Sequence, residues 1–204
     1  MTTKYIVNNV NRQTISGDIT IDGNVIINGT TNTRPYNVYS SLLTQIGGSV
    51  QLTISRGVVE KGVTYSVLAK NPFTAWDFTN VGGPIYPENY SFVATSSDAP
   101  NNYGNASLHY NTGAPVVTVL ENTIGNIWFT YDTVGNYSIY SNGLFTENKT
   151  TFSIILMGDD LASGYLCRGY IKEPKSCGIV TGDILTSYDD VLNFKTPIEI
   201  RVYN

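Results

Sequence analysis

From Ile15 to Gly29 the chain reads ISGDITIDGNVIING. Apolar side chains stand at Ile15, Ile19, Ile21, Val25 and Ile27, all odd positions, and the even positions are polar except Ile26. Side chains alternate between the two faces of a strand, so the pattern predicts a strand with one oily edge and one wet face. Glycines at 17, 23 and 29 recur every six residues. They mark points where a chain turns or bulges with no Cβ in the way, and six residues is also the period of β-helical coils. Burying five aliphatic side chains does not by itself offset the entropy of ordering the whole segment. The oily edge therefore needs a partner, and copies of the same segment are the favoured one. An ordinary first strand of the main body is the alternative. The polar stretch Thr30 to Pro35 reads as a linker, so residues 1–35 form an N-terminal anchor and oligomerisation segment.

The rest of the chain repeats the alternation in short runs. Strands are predicted at Tyr36–Ile46, Val50–Ser55, Val58–Val59, Val63–Leu68, Phe92–Thr95, Val116–Leu120, Ile127–Tyr131, Tyr137–Tyr140, Thr151–Leu156, Tyr165–Ile171, Cys177–Val180 and Ile198–Tyr203. Turn signals fall between them, among them Gly47-Gly48, Glu60-Lys61-Gly62, Asn101 to Asn105 and Ser141-Asn142-Gly143, the last read as a hairpin turn. No long stretch carries the i, i+3, i+4 spacing of an amphipathic helix. The fold class is all-β: a short β-helix-like or strand-like N-terminal segment followed by a β-sandwich or jelly-roll-like head.

Composition narrows the partners. Only 14% of the 204 residues are charged, and Thr, Ser, Asn and Gly fill most polar positions, which suits sheets with uncharged wet faces. The net charge is −4 and there is no basic stripe, so nucleic acid is not an expected partner. No apolar run is long enough for a membrane-spanning helix, and no secretory h-region precedes Asn8 and Asn9. The expectation is a protein made in a cytoplasm that stays there or leaves on a particle.

Three groups of stretches resemble virion proteins of tailed bacteriophages. The run from Tyr110 to Trp128, the stretch from Gly143 to Thr150 and the closing IEIRVYN are similar to one module of such proteins. Val63 to Val67, Asp77 to Gly82 and Phe92 to Thr95 resemble a unit recurring in phage tail and fibre proteins, and GDITIDGNVIINGTT is similar to segments preceding fibre head domains. The resemblance implies a sandwich head built from residues 36–46 and 111–204, with residues 47–110 inserted as a small β subdomain. It implies a structural virion component: a trimeric head fibre, decoration protein or short tail fibre. Copies of itself and capsid or tail proteins, reached through the N-terminus, are the implied partners. A host-receptor or glycan-binding tail-fibre tip is the alternative reading, and a polysaccharide depolymerase is a third.

Candidate chemistry is sparse. His109 is the one histidine, so any His-based triad must use it; beside Leu108 and Tyr110 it is read as a surface or packing residue at a strand end. Asp159-Asp160 and Asp189-Asp190 are adjacent pairs, whose side chains point apart in a strand; they are read as loop caps or at most as calcium ligands. Glycosidase chemistry needs two carboxylates, and Asp77, Glu88, Asp159, Asp183 and Asp189 are present, but no spacing singles out a pair. The expectation is no enzyme, no cofactor and no metal. Cys167 and Cys177 would face each other across a hairpin turning near Lys172 to Pro174, and are expected as free thiols. Aromatic residues carry more information. Trp76 and Phe78 are read as core, while Tyr86, Tyr90 and Tyr103, in turn-rich context, are read as exposed candidate receptor contacts. Trp128 and Phe129 are adjacent in a strand, so only one can face the core, leaving the other for a neighbouring subunit.

Overall fold

A computed structural model of the chain describes residues 34–69, 75–85, 90–146, 148–155, 166–173, 176–182, 186, 192 and 195–203. The chain divides into two units, Met1–Thr33 and Arg34–Asn204, and every described residue belongs to the second. The glycine-spaced segment, with Ile15, Ile19, Ile21, Val25 and Ile27, lies outside the described residues. So do Tyr86, Glu88, Asp183 and the pairs Asp159-Asp160 and Asp189-Asp190.

The described residues are all-β, with twelve strands and one short 3₁₀ turn, η1 (Thr79–Val81). The strands are β1 (Tyr36–Thr44), β2 (Gln51–Ile54), β3 (Thr64–Ala69), β4 (Ser91–Val93), β5 (Ala106–Asn111) and β6 (Val116–Asn122), then β7 (Ile127–Thr133), β8 (Asn136–Ser141), β9 (Thr150–Ile154), β10 (Leu166–Glu173), β11 (Ser176–Gly182) and β12 (Thr196–Tyr203). They form three antiparallel four-stranded sheets, ordered β6-β1-β12-β9, β10-β11-β8-β7 and β2-β5-β3-β4.

The first two sheets face each other as a sandwich. The alternation that marked the strands is what fills it. On β12 Ile198, Ile200 and Val202 are buried while Pro197, Glu199 and Arg201 are only partly so. Tyr39 and Leu43 of β1 and Val117 of β6 complete one inner face; Ile127, Phe129, Tyr137, Ile139, Cys177 and Ile179 form the other, with Phe145 and Leu192 closing the ends. Adjacent Trp128 and Phe129 separate as alternation requires: Phe129 is fully buried and Trp128 lies on the outer face, stacked on Tyr140.

The third sheet takes all four strands from the chain between β1 and β6. Its second layer is not a sheet but a loop. Trp76 and Phe78, both buried, stack with ring centroids 5.2 Å apart, and Phe78 stacks in turn on Phe92 of β4. Backbone hydrogen bonds between Asp77 and Asn102 and from Phe78 N–H to the Pro84 carbonyl hold that loop flat against the sheet. Asp77 organises η1: its carboxylate accepts from the Thr79 N–H at 2.8 Å, the Thr79 hydroxyl at 2.6 Å and the Asn101 amide at 3.1 Å. These bonds favour the ionised form and lower its pKa, led by the Thr79 hydroxyl.

Four local expectations need correction. Ser141-Asn142-Gly143 is not a hairpin turn, because β8 and β9 lie in different sheets. The Ser141 hydroxyl accepts from the N–H groups of Leu144 and Phe145, and the chain crosses between layers there, driving Phe145 inward. Val58-Val59 is no strand; Val59 is a buried plug whose N–H reaches the Asp98 carbonyl. Alternation does not mark central strand β5, because ASLHYN opens with small residues after a turn, and His109 sits within it, not at its end. The β10–β11 hairpin is centred two residues later than expected, so Cys167 faces Thr181 and Cys177 faces Ile171. Both thiols are free.

Candidate functional site

The third sheet docks on one side of the sandwich, over the edge strands of both sandwich sheets. Hydrogen bonds tie the joint. The β6 edge donates the Val117 N–H to the Gly62 carbonyl at 2.9 Å. The β7 edge donates the buried Phe129 N–H to the Thr64 hydroxyl at 3.2 Å. The Asn126 side-chain amide donates to the Ser91 carbonyl at 2.9 Å. Edge strands carry unpaired backbone groups that must be covered or hidden, and the third sheet covers part of both. Side chains interlock too: Val93 of β4 packs on the sandwich core and Val116 of β6 on the third sheet's core. Gly62 makes the close approach possible, since its φ is +86° and a Cβ there would lie 2.5 Å from the Val117 carbonyl.

Beyond these contacts the joint opens into a cleft of about 500 Å³. Tyr90, Val93 and Thr95 form one wall, Val117 and Val119 the other, and Tyr39 lies at the floor. Lys61 stands at the lip, its backbone N–H donated to the Ser97 hydroxyl. Most polar groups around the cleft are engaged in shaping it. The Asn122 carboxamide closes its own turn, accepting from the Ile124 and Gly125 N–H groups and donating to the Gly125 carbonyl at 2.7 Å. Burial raises the pKa of the Tyr39 hydroxyl, with neighbouring Ser41 lowering it in part, so it stays a neutral phenol at the floor. The arrangement is an apolar slot with one cation at its rim, suited to holding a side chain or a small apolar group.

The tyrosines expected at a receptor surface separate. Tyr90 is half-buried and lines the cleft. Tyr103 is also half-buried, but its hydroxyl donates to the Gly57 carbonyl at 3.0 Å and its ring meets the edge of Phe78, which makes it part of the third sheet's packing. Both were expected to be exposed. The reason they are not is that the loop layer needs rings to close over a single sheet. Trp76 and Phe78 are core, as read.

Acid–base groups are spread out. His109 has Gln51 and Ser107 at 3.5 Å from its two ring nitrogens. Three of the described carboxylates pair with cations: Glu121 with Arg34 at 2.6 Å, Asp132 with Lys172 at 3.5 Å and Glu199 with Arg201 at 2.5 Å. Among the described residues no three His, Cys, Asp or Glu side chains gather as a metal site would require. Compared with known proteins, the chain matches no protein family, no curated protein and no solved structure.

Proposed function

We propose that this chain is a structural component of a tailed-bacteriophage virion, a trimeric head fibre, decoration protein or short tail fibre. In this reading residues 1–35 bind the copies to one another and to capsid or tail proteins, and the β body projects outward. The feature that carries it is the run of oily odd positions from Ile15 to Ile27, which ends just before a β head whose first strand begins at Tyr36. That strand lies at the centre of its sheet, between β6 and β12, so load arriving through residues 1–35 enters the best-paired part of the sandwich. The phage-like stretches supply the virion context.

The test is oligomeric state. The intact chain is expected to run as a stable trimer in mass photometry and light scattering, and Ile19→Asp with Val25→Asp to release folded monomers. A wild-type monomer at micromolar concentration removes the proposal's main support. Adhesion to a host surface is a second reading, favoured by the cleft that Tyr90 lines. Purified protein would then bind host cells, Tyr90→Ala would weaken binding, and Tyr103→Ala would lower stability instead.

A further inference from the structure

The outer face of β10-β11-β8-β7 carries side chains of a kind the sequence did not reveal as a group. Register puts Trp128 beside Tyr140, and their rings stack with centroids 5.8 Å apart and planes within 18°. One step along the same face, Thr130 faces Ser138, Ser138 faces Gly178 and Gly178 faces Tyr170. Gly178 is the seat of the Tyr170 side chain: a Cβ at 178 would collide with the far end of that ring. Tyr170 thus lies across the sheet with close to half of its surface, 45%, open to solvent.

Hydrogen-bonding groups sit between the rings. The Asp132 carboxylate accepts from the Thr130 hydroxyl at 2.9 Å and the Ser138 hydroxyl at 2.5 Å. The Lys172 ammonium pairs with Asp132 at 3.5 Å and reaches the Ser138 hydroxyl at 3.4 Å. Asp132, then Tyr140 and Tyr170, raise the Lys172 pKa, which puts all three near the ammonium. The carboxylate and the ammonium cancel, so the centre of the platform offers donors and acceptors without net charge.

We propose that this face binds neutral polysaccharide, with the Trp128–Tyr140 pair and Tyr170 stacking on sugar rings and Lys172 and Asp132 bonding to hydroxyls. A flat ring with an open face meets the apolar C–H face of a pyranose, and the adjacent charged pair supplies the directional bonds. A protein partner would instead be met by a contiguous apolar patch with few charges at its centre, which this face lacks. An anionic glycan would find a carboxylate at the centre of the site. The inference places binding on a surface separate from the cleft of the adhesion reading and is independent of the trimer.

The experiment is affinity electrophoresis of the full-length protein in gels containing dextran, laminarin, galactan or yeast mannan, with tryptophan fluorescence in solution beside it. The protein has two tryptophans; Trp76 is buried and Trp128 is on the platform, so ligand-dependent emission changes report on Trp128. Retardation by at least one of the four is expected, with a fluorescence change on the same polysaccharide. Trp128→Ala and Tyr170→Ala should each weaken binding about tenfold, the loss of one ring contact. Gly178→Ala should weaken it too, by moving Tyr170 off its seat, while Tyr170→Phe keeps the ring and most of the binding. Arg56→Ala, on the exposed loop after β2 of the third sheet, should leave retardation unchanged. Circular dichroism and thermal melts confirm that each variant folds. Migration unchanged in all four gels, or retardation that survives Trp128→Ala and Tyr170→Ala together, overturns the proposal. A trimer that binds none of the four sinks this inference alone and leaves the virion reading standing.

Discussion

The sandwich and the third sheet solve the same burial problem in different ways. Each sandwich sheet has an apolar face and covers it with the other, so aliphatic side chains from strand alternation close the core. Among the described residues the third sheet has no partner sheet. It covers its apolar face with a loop, and a loop has no regular alternation to supply side chains at even spacing. Large flat rings fill the gap instead: Trp76, Phe78 and Tyr103 lie over Phe92 and Tyr65 of the sheet. One core is therefore built from many modest contributions and the other from a few large ones.

That difference is easiest to break at its largest members. Phe129→Ala and Phe78→Ala should each cost about 3–5 kcal/mol, the range for deleting a buried aromatic side chain. Their consequences should differ. Phe129→Ala is expected to lower hydrogen-exchange protection in all three sheets, because the third sheet leans on β7. Phe78→Ala is expected to release β2 to β5 while β1, β12, β8 and β11 stay protected. Equal loss of protection everywhere in both variants would show that the two cores are one cooperative unit.

The joint between them comes next. Gly62→Ala places a Cβ against the Val117 carbonyl at a left-handed φ, and should destabilise by about 1–3 kcal/mol. Thr64→Val leaves the buried Phe129 N–H without its acceptor, at a cost of about 1–3 kcal/mol. Urea melts of both variants against wild type measure these directly.

Titration sharpens the comparison at opposite ends of the pH scale. In the sandwich, burial pushes Cys167 and Cys177 up to about 12, above the ordinary thiol value near 8.5. The native state holds those protons more tightly than the unfolded chain. This contribution to stability is full below the unfolded value and is lost as pH rises from there towards 12. Alkylation by iodoacetamide at pH 8 should accordingly be slow until the protein unfolds. In the third sheet Asp77 has the reverse sign. Its pKa is held down by Thr79 and Asn101, so its contribution is present above the ordinary carboxylate range and fades as pH falls through the lowered value. Asp77→Asn should flatten the acid limb of the stability profile by a small amount, since the group is exposed.

Legibility followed the same division. The sandwich strands were readable because alternation is enforced wherever one face is buried: Ile198 to Tyr203, Ile127 to Tyr131 and Tyr137 to Tyr140 all lie in strands. The third sheet was less so. Its β5 has Ser107 buried on the side where a polar residue signals solvent, and its loop layer carries no period. The two hairpin misreadings have different causes. Ser-Asn-Gly has turn chemistry, yet a turn becomes a hairpin only if the strands on either side pair, and β8 and β9 belong to different sheets. The two cysteines miss each other because a two-residue shift in where a turn centres moves the register by four.

What the amino-acid order determined alone is the class and most of the strands, because side-chain alternation is a local consequence of backbone geometry. It also determined which aromatic residues of the loop layer turn inward, since Trp76 and Phe78 have nowhere else to put their area. Only the tertiary structure decided which strands share a sheet, that the third sheet covers edges of both others, and that Trp128, Tyr140, Tyr170, Asp132 and Lys172 meet on one face. Those five come from three strands of a single sheet, brought together by register between segments far apart in the chain. Residue spacing carries no trace of such a meeting, because strand pairing is a long-range choice settled by the burial of the whole body.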